Sequence, residues 1–292
     1  MKYIIGVDGG GSKTAAALAD INGNVICTSF ASGCNPNDIG FENAMKTIFS
    51  AVQAFNVSTD DISAIFCGIA GITASDYSEK ANRWLKETFP NAKSEALHDG
   101  INVIYSAFPN SDGAIVICGT GSSCFMKKGG EIIRIGGYGK FDCAGNGYEI
   151  GKAAICHALK CVDGRDTGGI LNDLVMKKAG GNPLDKLTDL ISADKKEIAS
   201  YTPLVFEAYE KGDMYAAWIL ETQMEYIGTL INRAAEIYGD TLSVCMAGGI
   251  GTNETAVKII KKYISFDVNI DTVTAEPYYG AVAKAKEILT AE

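Results

Sequence analysis

The sequence predicts an α/β protein that is built from two similar domains. Its length of 292 residues suits two domains of roughly 100–200 residues better than one hydrophobic core. Strand and helix patterns alternate between Ala64 and Phe108, which is typical of α/β folds. A unit of strand, glycine loop, strand, turn and strand begins at Ile4 and begins again at Ile115. This repetition predicts a duplicated domain, with two similar sheets that face one cleft.

The first domain is predicted to cover 1–112. Apolar residues recur at helical spacing between Phe41 and Phe55, and Asn22-Gly23 is typical of a tight hairpin turn. The predicted strands are 3–8, 14–19, 25–29, 64–70 and 95–98, and the predicted helices are 41–55, 75–88 and 101–108.

The second domain is predicted to cover 113–292. A strand at 114–118 is followed by a second strand, a turn at Gly129-Gly130 and a third strand that ends at Gly136-Gly137. The segment from 149 to about 238 is predicted to be helical, with breaks at Pro183 and Pro203, and a strand follows at 242–247. The last helix, about 279–292, is a candidate to pack back on the first domain.

Composition excludes several classes of function. The net charge of −9 would repel nucleic acid, and no cluster of Lys or Arg compensates for it. No apolar run reaches the roughly 18–20 residues that cross a bilayer, and no signal sequence precedes the first strand, so we expect a cytoplasmic protein without a membrane span. The nine cysteines are scattered without a CxxC pattern, which favours buried, reduced thiols over a zinc or redox site.

A glycine-rich loop follows the first strand. In Asp8 to Thr14, small residues let backbone N–H groups approach an anion, and a hydroxyl and a cation stand beside them. The loop differs from a P-loop because Ser12 occupies the position of the P-loop lysine and a hairpin follows. The residues that would bind phosphate are Gly9, Gly10, Gly11, Ser12 and Lys13. A glycine turn without a ligand is the alternative for this loop taken alone.

Two further glycine loops weaken that alternative. Gly119-Thr120-Gly121 and the segment 247–252 each directly follow an apolar strand. Unrelated turns would more often use Asn, Asp or Pro. Glycines at several strand ends around one cleft are what a nucleotide with its phosphates requires.

The three loops resemble, in order and spacing, the phosphate-1, phosphate-2 and adenosine motifs of the superfamily that contains actin, hexokinase and the heat-shock chaperone ATPases. The chain is most similar to the N-acetylglucosamine kinase and BadF/BadG/BcrA/BcrD ATPase family. The matching segments are 6–14, Asn35-Pro36, the strand end at Asp99, 119–122, 136–139, 247–251 and Gly280-Ala281. The resemblance implies two ribonuclease H-like domains, of the actin-like ATPase type, around a central nucleotide and sugar cleft.

The resemblance also implies an activity and its cofactors. It implies an ATP-dependent kinase that phosphorylates a hydroxyl of a small sugar, most often an amino sugar such as N-acetylglucosamine, glucosamine or N-acetylmuramic acid. Ser12 and Thr120 would contact the ATP phosphates, with Lys13 beside them. Asp8 would hold Mg²⁺, through water. The adenosine side would be lined by Gly248, Gly249 and Gly251.

Asp99 is the candidate general base, because phosphoryl transfer needs one group that accepts the proton of the attacking hydroxyl. The family places its catalytic aspartate about twenty residues before the Gly-Thr-Gly loop, as here. The alternative is a helix N-cap, since a helix is predicted from Ile101. Strand alternation predicts that His98 points away from Asp99, and His98 and His157 are interpreted as structural.

The resemblance implies sugar contacts for Asn35, Gly137, Tyr138 and Gly139, and the candidate base Asp99 would also contact the sugar. Asp142 is a further candidate for a sugar contact. For Asn35, a turn before Pro36 is the alternative. The chain departs from the family pattern after Gly139, because Cys143 and Ala144 stand where the family carries Asp and Glu, and Asp142 is displaced by one position. This departure leaves the sugar unassigned.

Two rival functions fit parts of the sequence. One is an ATPase that activates a radical dehydratase and works as a dimer around a bridging iron–sulfur cluster. Such a cluster needs thiolates at the interface, and Cys143 is the candidate. A brown colour of the purified protein would favour this rival. The other is a non-catalytic sugar sensor, which often carries an added DNA-binding module, and the strand that begins at residue 3 leaves no room for one. The sequence is also compatible with a homodimer.

Overall fold

The computed structural model describes residues 1–142, 144–272 and 275–291. The chain divides into two compact units. Unit 1 is Met1–Asp112 with Val273–Glu292, and unit 2 is Gly113–Thr272. The predicted α/β architecture is confirmed, since each unit holds a five-stranded sheet with helices packed against it.

Strands form at the places predicted from the sequence, and one further strand, Val268–Thr272, was not predicted. The strands are β1 (Tyr3–Gly9), β2 (Lys13–Asp20), β3 (Val25–Ser32), β4 (Ile62–Ile69), β5 (Lys93–His98), β6 (Gly113–Cys118), β7 (Ser122–Lys128), β8 (Glu131–Ile135), β9 (Leu242–Ala247) and β10 (Val268–Thr272).

Helices occupy most of the remaining chain. The α-helices are α1 (Pro36–Ile39), α2 (Phe41–Gln53), α3 (Tyr77–Thr88), α4 (Gly100–Ala107), α5 (Gly147–Val162), α6 (Ile170–Ala179), α7 (Leu187–Ser192), α8 (Lys195–Ala199), α9 (Thr202–Glu210), α10 (Met214–Tyr238), α11 (Gly248–Gly251), α12 (Glu254–Ile260) and α13 (Pro277–Thr290). Short 3₁₀ turns lie at Thr59–Asp61, Gly139–Phe141, Pro183–Lys186 and Lys261–Tyr263. None of the helices in the described segments is long and apolar enough to cross a membrane.

The two sheets share one topology, which confirms the predicted repetition. The strand order is β3-β2-β1-β4-β5 in unit 1 and β8-β7-β6-β9-β10 in unit 2. In each sheet the first three strands form an antiparallel meander, and the last two run parallel to the first strand of their own unit. Because carboxyl ends of parallel strands meet at one sheet edge, the glycine loops after β1 and β6 each open at such an edge.

Each unit has its own apolar core. In unit 1 the inner side chains of β1 and β4, such as Ile5 and Ile65, pack with Ile48 and Leu85 from the helices. In unit 2 the core extends from the sheet to α5, α9, α10 and α12. Helix α13 packs on α4, β1 and β4 within unit 1, so the end of the chain joins the core of the first sheet.

The predicted helical segment of unit 2 resolves into several shorter helices. Pro183 and Pro203 both lie in the first turn of a helix, where the missing proline N–H costs no hydrogen bond. The hairpin between β2 and β3 also forms at the predicted place. There the Asp20 carboxylate accepts hydrogen bonds from the backbone N–H groups of Asn22 and Asn24.

The cysteine prediction is confirmed in part. Cys34, Cys67, Cys118 and Cys124 are buried, and burial raises the pKa of their thiols, so these four remain protonated at neutral pH. The prediction is wrong for two exposed cysteines, Cys27 and Cys156. Cys143 lies outside the described residues.

Candidate functional site

The first glycine loop is a tight turn that presents its outer side to solvent. The N–H of Gly10 donates to the carbonyl of Lys13 at 3.0 Å, and the Cys34 N–H donates to the Gly10 carbonyl at 3.0 Å. Gly33 supports the turn from behind, since a β-carbon there would lie 1.9 Å from the Gly11 carbonyl oxygen. Gly11 and Ser12 are exposed. An anion can therefore approach the backbone of the loop from its open side.

Lys13 ends this loop at the start of β2. Its ammonium group lies 4.4 Å from the centre of the Phe30 ring, a cation–π distance. The same positive charge lowers the pKa of Asp8, so Lys13 lies within electrostatic range of that carboxylate. The contact that the Lys13 ammonium group makes is thus with an aromatic ring of β3, and its effect on Asp8 is electrostatic.

Asp8 carries a carboxylate near the carboxyl end of β1. The Nδ2 group of Asn102 donates to Asp8 Oδ1 at 2.7 Å. Burial raises the pKa of Asp8 to about 6, the Asn102 hydrogen bond opposes the rise, and the negative charges of Asp99 and Glu276 add to it. The ionised form of this half-buried carboxylate, which is disfavoured by the charges of Asp99 and Glu276, would be stabilised by a cation bound beside it.

Asp99 lies at the carboxyl end of the neighbouring parallel strands. It occupies the N-cap position of α4, yet its side chain makes no capping hydrogen bond within the described chain. The side chain is 33% exposed. The helix-cap alternative therefore has no support in the contacts of Asp99, and its carboxylate remains accessible.

The expected orientation of His98 is wrong. His98 Nδ1 lies 3.0 Å from Asp99 Oδ1, so the two side chains lie on the same side. Alternation holds only while the backbone stays extended, whereas β5 ends at His98 and Asp99 already has helical angles, φ −57° and ψ −25°. His98 is therefore a neighbour of the candidate base. His157 is 3% exposed and stacks on Tyr215, which fits its structural interpretation.

Asn35 forms the turn that was its alternative role. Its Oδ1 accepts hydrogen bonds from the backbone N–H of Asn37 at 3.0 Å and from Asn37 Nδ2 at 3.1 Å. Asn37 Nδ2 also donates to the Gly71 carbonyl at 3.0 Å. The asparagine thus caps α1, and its carboxamide is held at the loop that follows β3.

The second and third glycine loops meet within unit 2. Gly248 has φ +83°, and a β-carbon on it would lie 2.5 Å from the Cys118 carbonyl oxygen, so only glycine fits there without strain. Carbonyl groups of Gly119 and Thr120 accept hydrogen bonds from the first N–H groups of α5, at 2.8 and 3.3 Å. A β-carbon added at Gly119, Gly121 or Gly249 would have no described atom within 4 Å, which leaves space above these loops.

A cavity of ≈ 590 Å³ opens between these two loops and the helices of unit 2. Gly119, Thr120 and Gly249 contribute to its wall, whereas Gly251 is packed below, on Met246 and Cys118. The other lining residues are Gly147, Ala199, Thr202, Pro203, Phe206, Glu207, Glu210, Ile250 and Asn253. Sequence reasoning missed the contribution of α9. The sequence signal that could have identified this helix is one apolar and two acidic side chains, Phe206, Glu207 and Glu210, within about one helical turn.

A smaller cavity of ≈ 130 Å³ shares Thr120 with the large one. Gly137, Gly139 and Asp142 line it, and so do Gly121, Ser122, Asn146, Tyr148 and Lys195. The hydroxyl of Tyr226, a residue that sequence reasoning missed, donates to Asp142 Oδ1. Tyr138 is 57% exposed, and its ring lies 5.1 Å from the Arg134 guanidinium. Three of the predicted sugar-contact residues therefore line one cavity.

Metal binding would have to rely on few protein ligands. Among the described residues no group of three or more His, Cys, Asp or Glu side chains is arranged to hold a metal ion. A hydrated Mg²⁺ ion needs only one or two carboxylates beside phosphate oxygens. The residues around Asp8 fit that kind of site.

Known proteins are similar to the chain over nearly its whole length. The family described as the BadF/BadG/BcrA/BcrD ATPase family matches residues 5–283. The chain is 28% identical to the N-acetylmuramic acid/N-acetylglucosamine kinase of Clostridium acetobutylicum, over 98% of this chain and 99% of that protein. It is 26% identical to the N-acetyl-D-glucosamine kinase of Dictyostelium discoideum, over 97% and 98%.

A solved structure shows the same fold. It comes from Chromobacterium violaceum and was provisionally named an N-acetylglucosamine kinase. The TM-score is 0.75 at 20% identity, and the match covers 99% of each chain. With the two repeated sheets, this likeness confirms the predicted fold class.

Proposed function

Because this chain belongs to the BadF/BadG/BcrA/BcrD ATPase family, we propose that it is an ATP-dependent kinase that phosphorylates a hydroxyl of a small amino sugar. The observation that carries the proposal is the accessible Asp99 carboxylate, which stands at a helix start without capping it and lies near Asp8 and the first glycine loop. The amino sugar comes from the relatives, which are kinases of N-acetylmuramic acid and N-acetylglucosamine.

ATP is assigned to the glycine loops. The ≈ 590 Å³ cavity has a size that suits a nucleoside. Its apolar side, with Phe206 and Ile250, suits an adenine ring, and Glu207 and Glu210 can accept hydrogen bonds from ribose hydroxyls. Ser12 and Thr120 would donate hydrogen bonds to phosphate oxygens from the two loops. The lining of the cavity by the second and third loops supports this assignment.

Mg²⁺ is assigned to Asp8. The raised pKa of this carboxylate reflects burial and the nearby charges of Asp99 and Glu276, a set of anionic groups that a cation would neutralise. Bound there with the ATP phosphates, Mg²⁺ would offset negative charge that develops on the transferred phosphoryl group. Asp8 would hold the ion, through water.

Asp99 is assigned the role of general base. The oxygen of the sugar hydroxyl forms a bond to the γ-phosphorus while the bond from that phosphorus to the β,γ-bridging oxygen breaks, and ADP leaves. The hydroxyl proton passes to the Asp99 carboxylate. His98 Nδ1, which accepts the N–H of Gly100, lies 3.0 Å from Asp99 Oδ1 and is thus a close neighbour of the proposed base.

Sugar contacts remain proposals for Asn35, Gly137, Tyr138, Gly139 and Asp142. Asp142 is held by the Tyr226 hydroxyl, and with Gly137 and Gly139 it lines the small cavity beside Thr120. A carboxylate in this place can accept hydrogen bonds from sugar hydroxyls. A cytoplasmic location and a homodimer stay predictions.

A substrate screen tests the proposed function. ATP consumption is measured with glucosamine, N-acetylglucosamine, N-acetylmuramic acid, glucose and N-acetylmannosamine. We expect the highest kcat/KM with one of the amino sugars. If none of these sugars stimulates ATP consumption above the background hydrolysis, the proposal is wrong.

Replacing Ser12 or Thr120 with Val is expected to weaken the use of ATP more than the use of sugar. Each hydroxyl is assigned to a charged phosphate, and such hydrogen bonds contribute about 1.5–3 kcal/mol. The KM for ATP should therefore rise by about 10- to 100-fold, with the KM for sugar nearly unchanged. Steady-state kinetics with each substrate varied in turn measure both constants.

Thr47→Val is the matched control, because Thr47 is a half-buried threonine on α2 whose hydroxyl donates to the Asn43 carbonyl, away from the glycine loops. Its kinetics should equal those of the unmodified protein. An effect of Thr120→Val that is confined to the KM for sugar would reverse the assignment of this loop.

A further inference from the structure

Asn102 is a polar residue in the core of unit 1. It lies in the first turns of α4 and is 0% exposed. Its Nδ2 group donates to Asp8 Oδ1 at 2.7 Å, and the carbonyl oxygens of Val7 and Gly68 lie at 3.3 and 3.4 Å. The shortest of these contacts is the one to Asp8.

The surrounding backbone is shaped to admit this asparagine. A β-carbon at Gly68 would lie 2.3 Å from the Asn102 amide group. A β-carbon at Gly280, on α13, would lie 1.8 Å from the Asn102 carbonyl oxygen. Two elements that are distant in sequence, β4 and α13, thus carry glycine where they meet Asn102. The side chain and its backbone therefore have a fixed position relative to β1.

Asparagine is an unfavourable choice for a purely structural role at this place. Its Oδ1 atom is buried and has no hydrogen-bond partner among the described residues. An unsatisfied buried acceptor costs about 1–3 kcal/mol, a penalty that an apolar residue would avoid. The Nδ2 donor of Asn102 must therefore make a hydrogen bond that is useful to the protein and that an apolar residue cannot make. Of the three acceptors that Nδ2 contacts, the Asp8 carboxylate is the nearest and the one that carries a negative charge.

We propose that Asn102 is a positioning residue that holds the Asp8 carboxylate in one orientation for Mg²⁺. The inference rests on the proposed function, because it takes Asp8 as the group that holds the ion. A carboxylate that is bonded through Oδ1 cannot rotate freely, so it is already ordered before the cation binds. Groups that orient metal ligands in this way typically change metal affinity by about 10- to 100-fold when they are removed.

A double-mutant cycle tests the inference through binding rather than activity. The quantity measured is the factor by which saturating Mg²⁺ tightens binding of a non-hydrolysable ATP analogue, from calorimetric titrations with Mg²⁺ and with EDTA. We expect Asn102→Ala to reduce this factor by about 10-fold. Asp8→Ala should reduce it at least as much. The double variant should bind like Asp8→Ala, because Asn102 acts only through Asp8.

Tyr105→Phe is the matched control, because Tyr105 lies on the same helix as Asn102 and its hydroxyl donates to the Glu287 carboxylate on α13. It should lower stability and leave the Mg²⁺ factor unchanged. Should Asn102→Ala fail to fold, Asn102→Ser leaves a smaller void, and its hydroxyl is too short to replace the amide in the same cycle.

The outcomes separate the two proposals. If Asp8→Ala keeps the full Mg²⁺ factor, the metal role of Asp8 is wrong, and the inference on Asn102 is wrong with it. If Asp8→Ala loses the factor but Asn102→Ala keeps it, only the positioning role is overturned. Additive losses in the double variant would also overturn it, because they would show that Asn102 acts independently of Asp8.

Discussion

Asp99→Asn is expected to lower the turnover of sugar phosphorylation by about 10²- to 10⁴-fold. Asparagine keeps the size and most of the hydrogen bonding of aspartate but cannot take a proton at neutral pH. The fold should tolerate the change, because the Asp99 side chain makes no capping bond to α4 and is 33% exposed. The loss should appear in kcat and in kcat/KM alike, measured with saturating ATP and the best sugar of the screen.

Asp76→Asn provides the control for this prediction. Asp76 also occupies the N-cap position of a helix, α3, without a side-chain capping bond, and it lies outside the candidate site. Its activity should stay close to that of the unmodified protein. If Asp99 is the base, Asp99→Asn should raise the reaction barrier by at least about 2.7 kcal/mol, because each tenfold in rate is about 1.36 kcal/mol. If Asp99 is only structural, the barrier should hardly change. Near-normal turnover of Asp99→Asn would exclude it as the base.

Asp8→Asn is expected to raise stability and abolish most of the activity. Burial raises the pKa of Asp8 from 3.8 to about 6, so the ionised carboxylate destabilises the folded, metal-free protein at neutral pH. Asparagine removes that charge and can still accept the Asn102 hydrogen bond. The free energy of unfolding at pH 7.5 should rise by about 1–3 kcal/mol, taking about 1.36 kcal/mol per pKa unit as the upper limit.

The size of this gain in stability depends on pH in a defined way. The gain from Asp8→Asn should be full above pH 6, shrink between pH 6 and 3.8 as the native carboxylate takes up a proton, and vanish below that. Urea unfolding in EDTA across this range measures it. Without the assigned Mg²⁺ contact, kcat/KM should fall by about 100-fold or more, since a catalytic metal contributes several kcal/mol.

Asp20→Asn is the control of opposite sign. Its exposed carboxylate accepts hydrogen bonds from the side chain and backbone of Asn24, which lower its pKa. The ionised form is therefore favoured by folding, and replacing it should not stabilise the protein at neutral pH. Equal stability of Asp8→Asn and the unmodified protein at pH 7.5 would contradict a destabilising carboxylate at Asp8. Full activity would contradict its metal role.

The sequence by itself determined the repeated α/β architecture and the position of the glycine loops. Strand and helix periods follow from local backbone geometry, so the apolar patterns after Ile4 and after Ile115 predicted the repeated strands of both sheets, although the edge strand β10 was missed. A loop that directly follows a parallel strand must open at the carboxyl edge of its sheet. The strand ends at Asp8 and Asp99 could therefore be placed without coordinates.

Only the tertiary structure decided how these side chains are surrounded. Asp8 meets Asn102 from α4, and Asp142 meets Tyr226 from α10, contacts that span 94 and 84 residues of sequence. The orientation of His98 toward Asp99 depended on where β5 stops being extended. Local patterns contain no record of such contacts, because they arise when separate elements pack together. For that reason the sequence identified the candidate residues, whereas packing determined the charge, burial and orientation of each.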